Sequence, residues 1–245
     1  MSGHSKWATI KHKKGIADQK RGQKFTKLIK EISVAAKMGG ADPDTNAALR
    51  TAILKARAEN MPKDNIERAI KKGSGEMGDA QFFELVYEGY APGGVAIIID
   101  TLTDNKNRTA SDVRSTLTKL GGSLGATGCV SYMFQTKGVI IYDGEKYNED
   151  DVLNAALEAG AEDVITEDGT IEVRTAQGDF GAVLEAMQAA GFEQDSADVN
   201  RIPDTTVTLD KEKAQKVMNI VERLEDLDDV QQVSTNLDLP DDFEE

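Results

Sequence analysis

The 245-residue chain has 39% hydrophobic and 5% aromatic content, and its 29 basic and 43 acidic residues give a formal net charge of −14. One cysteine and two histidines exclude an internal disulfide and any Cys/His cluster at zinc spacing. No stretch approaches the ~20 apolar residues of a membrane span, and MSGHSKWATIKHKKG lacks the apolar run of a signal peptide. These features describe a soluble, cytoplasmic protein of two or three domains.

The mean charge hides a reversal. Residues 1–75 hold 17 Lys and Arg against 7 Asp and Glu, or +10, which leaves 12 against 36, or −24, for the rest. Residues 2–17 are small, polar and basic and read as an arm. Asp18 suits the N-cap of a helix reaching Lys37. There Phe25, Leu28, Ile29, Ile32 and Ala36 share one arc, while Lys20, Lys24, Lys27 and Lys30 share another. Gly39-Gly40 ends that helix. A second is expected from about Asn46 to Glu59, with a third opening near Pro62 and closing at Gly73-Ser74-Gly75. A flexible joint is expected at residues 76–80.

Beyond the joint the periodicity changes to strands. Phe82–Tyr90 and Val95–Leu102 flank the turn signal Ala91-Pro92-Gly93-Gly94. A helix from about Lys106 to Leu120 follows, capped by Asp104 or Asn105, and then a glycine-spaced segment leads to a short strand near Val130–Phe134. Residues 138–203 contain a weak repeat, LNAALEAG at 153–160 and LEAMQAAG at 184–191. With the strand-like runs around it this spells β-α-β-β-α-β, a ferredoxin-like module. The tail adds a strand at Thr205–Leu209, a helix at Lys211–Leu224 and a strand at Val230–Ser234. The expected fold class is therefore α+β and multi-domain: an N-terminal helical domain followed by two α/β domains of ferredoxin-like type, the last one inserted in the other. The expected boundaries are 1–77, 78–136 with 204–245, and 137–203; a separate third module is the alternative to an insertion.

Enzyme signatures fail. The two histidines, His4 and His12, sit in the arm without further ligands, and neither G-x-S-x-G nor a Walker loop occurs. Gly121-Gly122-Ser123-Leu124-Gly125-Ala126-Thr127-Gly128 could cradle a phosphate, but it follows a helix and lacks the P-loop lysine, so a mobile connector is the better reading. No cofactor, metal or small-molecule substrate is expected. Residues 1–30, by contrast, hold nine cations against Asp18 alone. Lys6, Lys11, Lys13, Lys14, Lys20, Arg21, Lys24, Lys27 and Lys30 suit phosphate neutralisation with counterion release. Trp7 and His12 among them suit stacking on unpaired bases, although Trp7 is equally suited to anchoring the arm. Lys106 and Arg108, at a helix N-terminus, form a second candidate patch.

Met1-Ser2-Gly3-His4-Ser5-Lys6-Trp7 with Ile10-Lys11-His12-Lys13-Lys14 resembles the opening of the YebC/PmpR family. So do Asn60-Met61-Pro62-Lys63-Asp64-Asn65-Ile66, Tyr87-Glu88-Gly89-Tyr90 with Pro92-Gly93-Gly94, and Leu102-Thr103-Asp104-Asn105-Lys106-Asn107-Arg108-Thr109. One departure is Ala91, where the family more often has glycine. The resemblance implies three domains and a transcriptional regulator that binds DNA. It also implies an alternative, because relatives that include a mitochondrial translational activator act on the ribosome and ribosomal RNA, and some relieve stalled translation.

Overall fold

A computed structural model describes residues 18–75, 82–167, 169–240 and 243, with the side chains of 18–21 outside the description. The chain opens with helices α1 (Asp18–Gly39), α2 (Ala47–Ala58) and α3 (Lys63–Gly73). Strands β1 (Phe83–Ala91) and β2 (Val95–Thr103), helix α4 (Lys106–Lys119) and the two-residue β3 (Ser123–Leu124) come next. Then follow β4 (Phe134–Asp143), α5 (Glu149–Ala159), β5 (Asp163–Glu167), β6 (Thr170–Ala176), α6 (Phe180–Ala189) and β7 (Ser196–Pro203). The last elements are β8 (Val207–Thr208), α7 (Lys211–Glu225), β9 (Val230–Thr235) and β10 (Leu237–Asp238). The described residues gather into two compact units, 82–135 with 202–243, and 18–75 with 136–201.

In the helical part the apolar arc of α1 does what its spacing predicts. Phe25, Leu28, Ile29, Ile32 and Ala36 join Leu49, Ala52, Ile53 and Ala56 of α2 and Ile66 and Ala69 of α3 in one core. Ser33 donates its hydroxyl to the Ala69 carbonyl at 2.9 Å. Where α3 passes α1, a Cβ on Gly73 would overlap the Ser33 carbonyl, so the two backbones touch only because residue 73 is glycine. Asn60 adopts the left-handed conformation (φ 56°) that closes α2. Its amide bonds Arg57 and that of Met61 bonds Ala56, both at 2.9 Å. Met61 then turns into the core, and Pro62 starts the next helix. The Asn-Met-Pro motif is thus a helix stop followed by a helix start.

In the same unit, residues 134–203 form a four-stranded sheet of order β5-β6-β4-β7, with β6 antiparallel to β4 and β5. Helices α5 and α6 pack on it through Val152, Ala156, Phe180, Val183, Leu184 and Met187, over Ile140, Tyr142, Ile171 and Val173. This is the ferredoxin-like β-α-β-β-α-β arrangement.

The other unit is built on a sheet of order β3-β1-β2-β9. β1 and β2 pair from Phe83↔Thr103 to Ala91↔Val95, and Gly93 and Gly94 supply the positive φ of 82° and 76° that the turn needs. β9, from the chain's tail, joins the free edge of β2 in antiparallel register, Ile97↔Thr235 to Thr101↔Val230. Helices α4 and α7 pack on each other and on this sheet. On the other face, Ala96 and Ile98 meet Val130, Cys129, Met133 and Phe134. β2 is consequently buried along almost its whole length.

Three local expectations change. Val130–Phe134 is not a strand: Ser131–Met133 forms a 3-10 turn, and Phe134 already begins β4. The amides of Val130 and Ser131 bond the Glu88 carboxylate instead of a neighbouring strand. The Thr205–Leu209 strand shrinks to β8, which pairs in parallel with β10 in a two-stranded ladder outside the main sheet. The fourth strand of that sheet is β3, from the glycine-spaced segment expected to be a mobile connector. The Glu76–Ala80 joint lies outside the described residues.

Candidate nucleic-acid interface

The candidate residues of the basic head fall into three groups. Lys6, Trp7, Lys11, His12, Lys13 and Lys14 lie outside the described residues. Lys20 and Arg21 lie on the first turn of α1, without described side chains. Lys24, Lys27 and Lys30 follow along the same helix and are half-buried.

The helix places Lys20, Lys24 and Lys27 at steps of four and three residues, hence on one face. That face continues as Glu31 and Val34, and Val34 is only 6% exposed. The basic row therefore stops where α1 enters the fold, about halfway along the helix. Lys24 is paired with Glu59 at 2.6 Å, and Lys27 and Lys30 are also partnered. Part of the row is thus neutralised internally.

Lys106 and Arg108 stand at the start of α4, which Asn105 caps by accepting the Arg108 amide at 3.1 Å. The Lys106 ammonium sits 4.0 Å from the centre of the Phe83 ring. Arg108 donates from Nε (3.2 Å) and Nη2 (2.8 Å) to Oδ2 of Asp229, and from Nη2 to Asp104 at 2.8 Å. Thr109 adds a third donor to the same Asp229 oxygen at 3.0 Å. Asp229, whose side chain is 9% exposed, thereby fastens the first turn of α4 to the turn that leads into β9. The Asp229 carbonyl also accepts the Leu102 amide at 2.8 Å. Nothing in the acidic run Asp226-Leu227-Asp228-Asp229 marks Asp229 as the one that turns inward.

Glu88 is a second buried acid of this unit that the sequence did not single out. Its carboxylate accepts the amides of Gly128 (2.7 Å), Val130 (2.9 Å) and Ser131 (2.8 Å). Burial would raise this carboxyl, but the three amides and the Ser131 hydroxyl outweigh it and hold the group below the ordinary carboxylate range. The Gly125 amide adds a bond to the Glu88 carbonyl at 2.8 Å. The end of the glycine-rich segment does cradle an oxyanion, and that oxyanion is internal. A signal was present: Glu88 interrupts the apolar core of a strand, between Tyr87 and Gly89.

Among the described residues no group of three His, Cys, Asp or Glu is placed to hold a metal. None of the described helices is long and apolar enough to cross a membrane.

Comparison with known proteins agrees with this architecture. Residues 5–76 match the family described as TACO1/YebC protein N-terminal domain, and residues 82–237 match TACO1/YebC second and third domain. A Treponema denticola protein named "Probable transcriptional regulatory protein" is 64% identical over 244 residues, covering 100% of this chain and 99% of its own length. A Treponema pallidum protein of the same name is 60% identical, with 98% of each chain covered. The crystal structure of a conserved hypothetical protein from Aquifex aeolicus superposes with a TM-score of 0.84 at 47% identity, over 93% of this chain and 94% of that one.

Proposed function

Because the chain belongs to the TACO1/YebC family, we propose that it is a non-enzymatic, cytoplasmic, nucleic-acid-binding regulator of gene expression that acts on DNA. The observation that carries this reading is the segregated charge, +10 over residues 1–75 against −24 over the rest. The names of the Treponema relatives support the regulatory part of it. In this reading residues 1–77 are the contact domain, and Lys6, Lys11, Lys13, Lys14, Lys20, Arg21, Lys24, Lys27 and Lys30 meet the phosphates. The parts at 78–136 with 204–245 and at 137–203 repel phosphate, which orients the basic head, or they bind protein partners. Trp7 and His12, interleaved with cations, favour a second reading in which the arm stacks on unpaired bases of ribosomal RNA and the protein acts in translation.

Gel shifts on a promoter duplex, across a salt series and beside ribosome co-sedimentation, separate these readings. Neutralising about six phosphates gives a log–log salt slope of roughly −5. Sequence-preferring duplex binding that survives moderate salt supports the DNA reading; co-sedimentation with only salt-labile duplex binding supports the second. Replacing Lys11, Lys13, Lys14, Lys24 and Lys27 together by Glu should abolish whichever activity is present. Undiminished binding by that variant would remove the head from the interface.

A further inference from the structure

Between positions 82 and 135 every basic residue lies on one helix. Lys106, Arg108, Arg114 and Lys119 are all on α4, against Asp112 alone. The rest of that unit, 82–135 and 202–245 without α4, has 4 basic and 17 acidic residues. α4 is thus a positively charged rod on a strongly negative body. Its inner face is Thr109, Val113 and Leu117, all buried. Its outer face steps through Asn107, Ser111, Arg114 and Thr118, at intervals of four, three and four residues. With Ala110 and Ser115 these residues line a shallow, open surface groove along the helix.

The four cations are not equivalent. Arg108 is held by Asp229 and Asp104, and Lys106 lies over Phe83. Arg114 is exposed and forms no ion pair among the described residues. Asp112 stands about 160° away from it around the helix at ~100° per residue. No carboxylate lines the groove. The side chains that flank the guanidinium are short, and they carry one amide and three hydroxyls. A planar, permanently charged fork between short neutral donors is the combination that phosphate oxygens recognise, and the short neighbours leave a backbone room to approach. Of these residues only Asn107 falls in the motif at 102–109, and none belongs to the basic head.

We propose that the outer face of α4, centred on Arg114 with Asn107, Ser111, Ser115 and Thr118, is a second phosphodiester-binding surface for a nucleic-acid backbone. It rests on the nucleic-acid reading above and adds to the basic head a contact on the acidic body. The contact is made to the backbone alone, so it supplies affinity and register without reading sequence.

Fluorescence anisotropy of the full-length chain on a 20-nucleotide single-stranded RNA and on a DNA duplex of equal length, from 50 to 300 mM KCl, tests it. Arg114→Glu should weaken binding to the preferred probe by about tenfold at 100 mM salt and lower the slope magnitude by about 1. Arg223→Glu, the same charge change at an exposed position of α7 in the same unit, should weaken it less than twofold. Ser111→Ala with Thr118→Ala, which leaves the charge unaltered, should lower affinity about threefold. Arg114 and Arg223 are exposed, so the two charge-reversal variants should melt as the wild type does. Wild-type affinity in Arg114→Glu, or an equal loss in Arg223→Glu, overturns the α4 surface while the head remains. A wild-type chain that binds neither probe overturns both.

Discussion

Glu88 shows how one side chain decides the state of a loop forty residues away. A carboxylate on a buried strand position is costly unless its lone pairs are filled, and here Gly128, Val130 and Ser131 fill them with amides. Because the folded carboxyl lies below its ordinary value, its contribution to stability is complete above the unfolded pKa near ~4.3. It is lost as pH falls from there through the lower folded value. Glu88→Gln removes charge from all three bonds and turns an amide group towards N–H donors, for a loss of about 3 kcal/mol at pH 7. Urea unfolding from pH 7 to pH 3 should show the wild type losing stability on the acid side while the variant, already lower, loses less. Parallel acid limbs in the two proteins would contradict this assignment.

At the scale of elements, Asn46 joins two helices. Its amide nitrogen donates to the carbonyls of Ala35 and Gly40 at the end of α1, both at 2.8 Å, and its oxygen caps α2 through the Leu49 amide at 3.1 Å. Asn46→Ala should lower stability by about 3 kcal/mol, and Asn46→Asp, which keeps only the capping half, by about 2 kcal/mol. Equal losses in urea titrations of the two variants would mean that the donations to α1 contribute nothing. The helices themselves were legible in the sequence because each carries its own signal, an apolar stripe between Gly or Pro boundaries. The β1–β2 hairpin was legible for the same reason. What could not be read locally was where a short segment's backbone bonds go. Val130 and Ser131 have the composition of a strand, yet they serve a carboxylate on β1. Thr205–Leu209 is strand-like, but only its middle pairs, and it pairs with a two-residue β10. The candidate interface divides similarly: the basic row on α1 follows from spacing, whereas the pairing of Lys24 with Glu59 and of Arg108 with Asp229 spans 35 and 121 positions.

At the scale of the molecule, the helical part and the 136–201 part fold as one unit, and α2 supplies the fastening. Leu54 packs into the core of the ferredoxin-like part. Next to it, Lys55, with its side chain 13% exposed, lies 2.6 Å from Asp198 and 3.0 Å from Glu31. Burial alone would lower this lysine, but Asp198 and then Glu31 outweigh it and hold the ammonium above the usual lysine range. Leu54→Ala should cost about 3 kcal/mol. Lys55→Met should cost about 2 kcal/mol, because both carboxylates keep some access to water. In calorimetry each variant should split the melting of this unit into two transitions; a single unsplit transition in both would show that the fastening lies elsewhere. The other unit raises a question of timing. Its central strand β2 takes β9 as a neighbour, and Ala96 bonds the Asn236 side chain across 140 positions. At ~5–20 residues per second, translation reaches that partner about 7 to 28 s after β2 is made. For that interval a nascent chain holds Val95–Thr103, its most apolar strand, with one edge unpaired, so chaperone capture or aggregation during synthesis should map to that edge.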